Sequence, residues 1–131
     1  MNTDATTPLP ERDFLHMGLA LAAAQCSPRE SPRYRLLFRI NLHNTSPLSL
    51  RLLGRKWVLR ERAAPTRIIE AQMVFNARPV LEPGSIFSFC GCHDFSTPPT
   101  GVELRLFGVD QTNAPFITPT LHFPRQALSI H

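Results

Sequence analysis

Residues 34–44 read YRLLFRINLHN, and after a short TSPLS segment the chain resumes with LRLLGRKWVLR at residues 50–60. Apolar and polar residues alternate in the first segment, which is typical of a β-strand with one buried face. The residues at 44–47, NTSP, have the composition of a turn. The stretch therefore predicts two consecutive strands joined by a turn. It contains no common catalytic motif, so it indicates a fold rather than a reaction.

The composition predicts a single all-β domain. A length of 131 residues fits one domain, and 43% apolar with 18% charged residues is normal for a globular protein. Thirteen prolines and six glycines interrupt the chain at short intervals, which favours short strands over long helices. We expect a flexible N-terminal segment at residues 1–12 and the folded domain at residues 13–131.

The charge pattern and the cysteines argue against nucleic acid as a partner and against an oxidising compartment. Fourteen basic residues give a net charge of +4, but they are spread along the chain and form no dense stripe of the kind that binds nucleic acid. The apolar run at residues 17–26 is too short to span a membrane, and acidic residues precede it, unlike a secretory signal. Three cysteines, an odd number, do not suggest a disulfide framework. We therefore expect a cytoplasmic protein with neither nucleic acid nor a membrane as partner.

The rest of the chain predicts further short strands. Residues 14–25 are ambiguous, because an alanine run favours a helix while the alternation of apolar residues fits a strand, and we predict a strand. Strand patterns also occur at residues 67–75, 80–81, 86–95, 102–106 and 116–123, with turn or loop signals at 82–84, 97–101 and 110–113. This number and spacing of strands is typical of a two-sheet antiparallel β-sandwich.

Several short motifs follow one another in order along nearly the whole chain. They are the strand at 34–44 ending in Asn44-Thr45-Ser46, LLGRKW at 52–57, PVLEPG at 79–84, FSF at 87–89, Thr97-Pro98 followed by Gly101, and Phe116 and Phe123 near the end. No single motif is specific, but the ordered set over residues 14–124 resembles the ApaG domain family.

The resemblance implies an immunoglobulin-like or fibronectin-type-III-like β-sandwich with no established enzyme activity. We expect no cofactor. ApaG proteins of bacteria are linked to cobalt and magnesium tolerance, and some eukaryotic proteins carry the domain for what is taken to be partner binding. The resemblance thus implies a non-catalytic binding or adaptor module that engages a protein partner, with a homodimer allowed. The alternative that it implies is a small-ligand role or a role in divalent-cation (Co/Mg) homeostasis.

One segment departs from the family pattern. ApaG proteins usually carry Gly-x-Gly-x-x-Gly just before the Pro-x-x-x-Pro-Gly turn, whereas residues 70–76 of this chain read EAQMVFN. Glycines at such a place would let backbone N–H groups approach an anion closely, and side chains obstruct that approach. We therefore expect nucleotides and pyrophosphate to bind weakly.

The string Cys90-Gly91-Cys92-His93 is the most site-like motif of the sequence. On a strand, both thiols would face the same way, and a soft metal could use them together with a histidine from elsewhere. A structural zinc site needs four ligands, however, and the sequence offers no second pair of this kind. We therefore predict no metal site and expect Cys90 and Cys92 to be small buried thiols near the end of a strand.

The remaining candidates for binding are Arg55, Trp57 and Asp94. We predict that the protein is not an enzyme, because no serine lies in a nucleophile elbow, the histidines are scattered and the carboxylates do not cluster. A lone mid-strand tryptophan is more often core than a stacking platform. Arg55 should share the face of Trp57, where it needs a carbonyl cluster or a carboxylate such as Asp94, Glu70 or Asp110, unless it lies at the sheet rim.

Overall fold

A computed structural model describes residues 9–27, 29, 33–72 and 78–129. The elements in this part of the chain are β1 (Leu15–Cys26), β2 (Tyr34–Asn44), β3 (Leu50–Glu61), β4 (Ala64–Ala71), β5 (Val80–Leu81), β6 (Ile86–Phe95), β7 (Pro99–Asp110), β8 (Pro115–Ile117), β9 (Leu121–His122) and α1 (Arg125–Leu128). Within the described ranges, no helix is long and apolar enough to cross a membrane.

The strands form two antiparallel sheets, as the sequence predicts. The three-stranded sheet has the order β1-β2-β6, and the six-stranded sheet has the order β4-β3-β7-β8, with β5 paired to β3 and β9 paired to β7. The expected two-sheet β-sandwich is therefore confirmed. The prediction that residues 14–25 form a strand is also confirmed, because β1 pairs with β2 along its whole length.

The core lies between the inward faces of the two sheets. Alternation in β2 and β7 sends every second side chain inward, and Trp57 of β3, which is only 2% exposed, packs among them. Burial of such side chains is the main force that holds a sandwich together. The buried residues of β2 and β7 that follow this alternation are Leu36, Phe38, Ile40, Leu42, Val102, Leu104 and Leu106.

A buried asparagine joins two turns at one end of the sandwich. The side-chain amide of Asn44 donates to the carbonyl oxygens of Leu48 (2.8 Å) and Leu81 (2.9 Å). Its Oδ1 accepts from the backbone N–H (2.9 Å) and the hydroxyl (2.7 Å) of Ser46, and its backbone oxygen accepts from the N–H of Gly84 (2.8 Å). The Asn-x-Ser and Pro-Gly motifs thus have a structural role, because they lock two turns together.

The β3 strand contains a local irregularity at Leu53-Gly54. The pairing register between β3 and β7 shifts between Leu52 and Gly54. A Cβ atom at Gly54 would lie 2.2 Å from Cζ of Phe107 and 2.6 Å from the carbonyl oxygen of Ala71. Only glycine therefore fits here without displacing its neighbours.

Several predicted boundaries differ from the structure. The closing strand predicted at 116–123 is two short strands, because the ladder with β7 is interrupted after Thr118, where Pro119 has no N–H to donate. The loop predicted at 97–101 is shorter, since β7 already begins at Pro99. Ordered pairing also begins before Asp13, because the N–H of Arg12 donates to the oxygen of Ile117 and the N–H of Ile117 donates to the oxygen of Pro10, both at 2.9 Å.

Two predictions fall on parts of the chain outside the described residues. Of the flexible segment predicted at residues 1–12, residues 1–8 lie outside the described part of the chain. The segment at 70–76 that replaces the family's glycines lies outside them from residue 73 onward.

Candidate functional site

The sandwich is open along the side between the end strands β4 and β6. We call this the open side. β4 ends the main path of the six-stranded sheet, and β6 is an end strand of the three-stranded sheet. Arg67 of β4 reaches across, because its Nη2 donates to the backbone oxygen of Asp94 (2.5 Å) and lies 3.8 Å from Oε2 of Glu61. Its guanidinium carbon stands 5.3 Å from the centre of the Phe95 ring. Arg67 therefore bridges the open side at this level.

His93 lies on the inner face of β6 and packs between aromatic rings. Its ring is stacked on Phe38, with centroids 5.2 Å apart, and meets Trp57 edge-on at 4.4 Å. Gly91, two residues earlier, leaves the room that Phe38 needs, since a Cβ there would lie 2.7 Å from Cζ of Phe38. The His93 imidazole is thus held in a fixed orientation by its neighbours.

The surroundings of His93 keep it neutral at pH 7. Burial lowers the pKa of His93 to about 4, the positive charges of Arg67 and Arg55 lower it as well, and Asp94 acts in the opposite direction. Nε2 of His93 is buried and has no hydrogen-bond partner among the described residues, and the same holds for Nε of Arg55. Two unpaired nitrogen atoms therefore lie on the inward faces of β3 and β6.

Asp94 pairs with an arginine on the outer face of the sheet. Its Oδ1 accepts from Nε of Arg35 at 2.7 Å and its Oδ2 accepts from Nη2 at 3.3 Å. The hydrogen bond from Arg35 lowers the pKa of Asp94, although partial burial works against this. Both side chains are close to half exposed, so the pair contributes little to stability. Of the partners suggested for Arg55, Asp94 is therefore ruled out, because it lies on the outer face of the three-stranded sheet, whereas Arg55 of the other sheet faces the space between the two sheets.

The other carboxylates named for Arg55 are also engaged elsewhere or face away. Glu70 pairs with Lys56, the neighbour of Arg55 on β3. Neighbouring side chains of a strand point to opposite faces, so Glu70 and Lys56 lie on the face of the sheet opposite to Arg55. Oδ1 of Asp110 accepts from the N–H and the hydroxyl of Thr112. No ion pair to Arg55 is found in the described part of the chain.

The two cysteines of the Cys-x-Cys string do not meet the histidine that follows them. Cys90 and Cys92 are free, exposed and on the same face of β6, opposite Arg39 and Leu37 of β2, whereas His93 faces inward. The expectation of buried thiols near a strand end is wrong. Side chains alternate along β6, and the inward position of Phe89 sends Cys90 and Cys92 to solvent.

The Cys90, Cys92 and His93 string therefore cannot act as one chelating unit. Among the residues that the structure describes, no three histidine, cysteine, aspartate or glutamate side chains come together in a way that could hold a metal ion.

A groove of about 650 Å³ lies at the end of the open side, between the β3–β4 turn and the end of β6. Its lining includes Arg67, Pro65, Phe95 and Glu61. Oε1 of Glu61 accepts four hydrogen bonds, from the N–H and hydroxyl of Ser96 (3.1 and 2.9 Å) and of Thr97 (both 3.0 Å). This network gives the Thr97-Pro98 motif a structural role, because it fixes the β6–β7 loop against the end of β3.

The sequence pattern predicts no role for Glu61 or Arg67. No local motif marks either residue, because their hydrogen-bond partners, Asp94 for Arg67 and Thr97 for Glu61, are 27 and 36 positions away in the chain. Of the binding candidates, Arg55 and Trp57 lie near each other with His93, while Asp94 lies on the outer face of the same strand as His93. The binding roles of these three residues stay predictions.

Comparison with known proteins agrees with this fold. The family model described as the ApaG domain matches residues 24–103. The ApaG protein of Proteus mirabilis is 28% identical over 107 residues, which cover 75% of this chain and 85% of that protein. The ApaG protein of Acidovorax is 25% identical over 105 residues, 80% of this chain and 76% of that protein. That of Methylococcus capsulatus is 22% identical over 94 residues, with coverage of 72% and 75%.

Solved structures show the same architecture at low sequence identity. A Bordetella pertussis protein assigned as ApaA superposes with a TM-score of 0.69 at 18% identity, covering 88% of this chain and 94% of that one. A second X-ray structure, from a structural genomics programme, gives a TM-score of 0.71 at 15% identity, with 86% of each chain covered. At this identity the likeness concerns the fold alone, but the family model matches more than half of the sequence. The chain belongs to the ApaG domain family.

Proposed function

We propose that this protein is a non-catalytic binding module that engages a protein partner through the outer face of its three-stranded sheet. The observation that carries the proposal is the set of side chains at the centre of that face, which we call the outer patch. The outer patch consists of Leu21, Ala23, Leu37, Cys90 and Cys92.

The outer patch is continuous across all three strands. Ala23 of β1 lies opposite Leu37 of β2, which in turn lies opposite Cys92 of β6. In the adjacent row, Leu21 and Cys90 lie on either side of Arg39. Outward positions of a solvated sheet are normally polar, yet Leu21 is 63% and Leu37 is 37% exposed. A contiguous apolar surface of this kind is typical of an interaction site.

The residues beside the outer patch suit a protein interface. Arg39 lies within the patch, and Arg35 lies at its border in an exposed ion pair with Asp94. Arginine is enriched at interfaces, where its stem packs on apolar surface and its guanidinium bonds to acceptors of the partner. We therefore expect a partner with an apolar contact surface bordered by carboxylates. A second copy of this chain is a less suitable occupant, since its own Arg39 would bring like charges together.

A cytoplasmic location is part of this proposal. The three cysteines are free and exposed thiols, and free surface thiols persist best in a reducing compartment. The alternative role in divalent-cation homeostasis has no support from the described residues, because no three potential ligands are grouped there.

The test is site-directed photo-crosslinking in the native host. A photoreactive amino acid at Leu37 should give a discrete crosslinked protein, and the same residue at Ile68 should not. Ile68 is the matched control, because it is 59% exposed and pairs with Val58 on the other sheet. Substitution of Leu21 by glutamate should abolish the crosslink from position 37 while Ile68→Glu leaves it intact. Equal crosslinking from positions 37 and 68 would show that the outer patch is not the interface.

A further inference from the structure

Cys90 and Cys92 form a pair of thiols on the outer face of β6, which we call the outer dithiol. Both thiols are free and exposed, and a single residue separates them. The ladder between β2 and β6 pairs residue by residue past both cysteines, so the strand is regular here and their Cα atoms are about 6.6 Å apart. β6 is an end strand of its sheet, so the outer dithiol is open to solvent from the side as well as from above.

The spacing of the outer dithiol suits a bridging metal ion better than a disulfide. A disulfide needs Cβ atoms about 3.5–4.5 Å apart, which is much less than the two-residue repeat of a strand. A metal–thiolate bond is about 2.3 Å long, so a linear sulfur–metal–sulfur unit spans about 4.6 Å. Side chains on a strand lean along its axis in two common rotamers, so each sulfur reaches this span by leaning about 1 Å toward the other.

The number of ligands selects the metal. Zinc sites and iron–sulfur clusters take four protein ligands, and no third histidine, cysteine, aspartate or glutamate joins the two thiols within the described ranges. The side chains that face the outer dithiol from β2 are Arg39 and Leu37, and neither binds a metal. Cu(I) is a soft ion that prefers thiolates, and its filled d shell is stable with two ligands in a line.

The charges around the outer dithiol suit such a complex. Cu(I) displaces the two thiol protons, so the complex of one ion with two thiolates carries one net negative charge. Arg39 lies opposite Cys90 and takes part in none of the ion pairs of the described residues. The hydrogen bond to Asp94 is the main cause that raises the pKa of Arg35, and negative charge on Cys92 raises it further, so this guanidinium also senses the outer dithiol.

We propose that Cys90 and Cys92 form a two-coordinate binding site for Cu(I). Two sulfur–copper bonds form, two protons leave, and the oxidation state of copper does not change. The site goes beyond the proposed protein interface and does not depend on it, because it needs only the two thiols.

The test is competition for Cu(I) with a coloured chelator. Cu(I) is offered without oxygen as its complex with bicinchoninate, which loses its colour when the protein takes the ion. The unchanged protein should withdraw one equivalent per chain, and native mass spectrometry should show one ion on a single chain. No withdrawal of the ion, or one ion shared by two chains, would overturn the proposal.

Single substitutions test whether the two thiols act as one unit. Cys90→Ser and Cys92→Ser should each weaken Cu(I) binding at least about a hundredfold, because the second ligand of a chelate acts at a high effective concentration. Cys26→Ser is the matched control and should leave the affinity unchanged, since Cys26 is also free and exposed but pairs with Tyr34 at the end of β1. If Cys90→Ser or Cys92→Ser keeps the affinity, the thiols bind separately and the proposal is wrong.

Ser88 allows the spacing to be tested with the number of thiols held constant. It is exposed and lies two residues before Cys90 on the same face of β6. Ser88→Cys combined with Cys92→Ser again places two thiols two residues apart and should restore binding. Ser88→Cys combined with Cys90→Ser places them four residues apart, about 13 Å, which one ion cannot bridge, so binding should stay weak. Equal affinity of the two double variants would show adventitious binding to surface thiols and would contradict the proposal.

Discussion

Replacement of Glu61 tests whether one buried carboxylate fixes the β6–β7 loop. Its side chain is only 4% exposed, and Oε1 accepts four hydrogen bonds from Ser96 and Thr97. Glutamine can keep an oxygen at the same place, so Glu61→Gln removes the negative charge that faces these four donors and Arg67. A hydrogen bond to a charged group contributes about 1.5–3 kcal/mol, against about 0.5–1.5 for a neutral one. The energies of four hydrogen bonds that share one oxygen do not add fully, so we expect the free energy of unfolding to fall by about 1–2 kcal/mol.

Glu61→Ala should be more severe. It leaves the N–H groups of Ser96 and Thr97 without an acceptor, whereas the two hydroxyls can rotate to find water. The N–H of Ser96 is exposed and can bond to water, whereas that of Thr97 is partly buried. An unsatisfied buried donor costs about 1–3 kcal/mol, so we expect a loss of about 2–3 kcal/mol. Glu82→Gln is the control, because Glu82 is exposed and accepts a single side-chain hydrogen bond, from Ser49 (3.1 Å). Its effect should stay below about 0.5 kcal/mol.

The pH dependence gives the decisive measurement. Burial alone would raise the pKa of Glu61, but the hydrogen bonds from Ser96 and Thr97 together outweigh burial and hold that pKa below its ordinary value. A carboxyl group with a lowered pKa stabilises the fold fully above its unfolded pKa of about 4.3, and this stability is lost as the pH falls through the folded pKa. In urea melts, the free energy of unfolding of the unchanged protein should therefore exceed that of Glu61→Gln at neutral pH, and this difference should shrink in acid. No difference at neutral pH, or the same difference at neutral and acid pH, would refute the reasoning.

The remaining predictions concern the core, the turn lock, the histidine and the thiols. Trp57→Ala should cost about 3–5 kcal/mol in urea melts, because it removes a fully buried aromatic ring, and full stability would contradict its core role. Asn44→Ala should cost about 2–4 kcal/mol by the same assay, since four side-chain hydrogen bonds are lost; a neutral effect would contradict the turn lock. With a folded pKa of about 4, His93 should make stability rise between about pH 4 and 6.5, where only the unfolded state binds the proton, and NMR titration of His93 above pH 6 would contradict this. Cys90 and Cys92 should react with a thiol reagent in the native protein, and metal analysis should find no stoichiometric zinc or cobalt; one equivalent of either would reverse that expectation.

The sequence predicts the strands well because their alternation reflects burial directly. Apolar and polar residues alternate over residues 34–44 except at Leu37, and the structure buries the apolar positions of this pattern, which are Leu36, Phe38, Ile40 and Leu42. β1 was ambiguous, since its alanine run suits a helix as well as a strand. Its pairing with β2 along the whole strand decides the matter, and local propensity alone does not contain that information.

The orientation of the cysteines was available from the sequence. Three odd-numbered residues of β6 are phenylalanines, Phe87, Phe89 and Phe95, and Phe89 and Phe95 are buried. The even-numbered residues of β6 must then face solvent, and Cys90 and Cys92 are among them. The hydrophobic character of cysteine favoured the wrong interpretation, although strand parity was the stronger signal. The Glu61 network was not available in this way, because hydrogen bonds across 35 residues depend on the tertiary structure.

The irregularity at Leu53-Gly54 explains how a core tryptophan and an unpaired arginine come to share one face. In an uninterrupted strand, Leu50 and Leu52 would share their face with residues 54 and 56, and Trp57 would face solvent. The register shift between Leu52 and Gly54 reverses this parity, so Trp57 joins the core. Arg55, two residues earlier, must then turn inward as well. The packing of Trp57 thus imposes the position of Arg55, but it does not require an arginine there, since an apolar residue would pack without an unpaired charge.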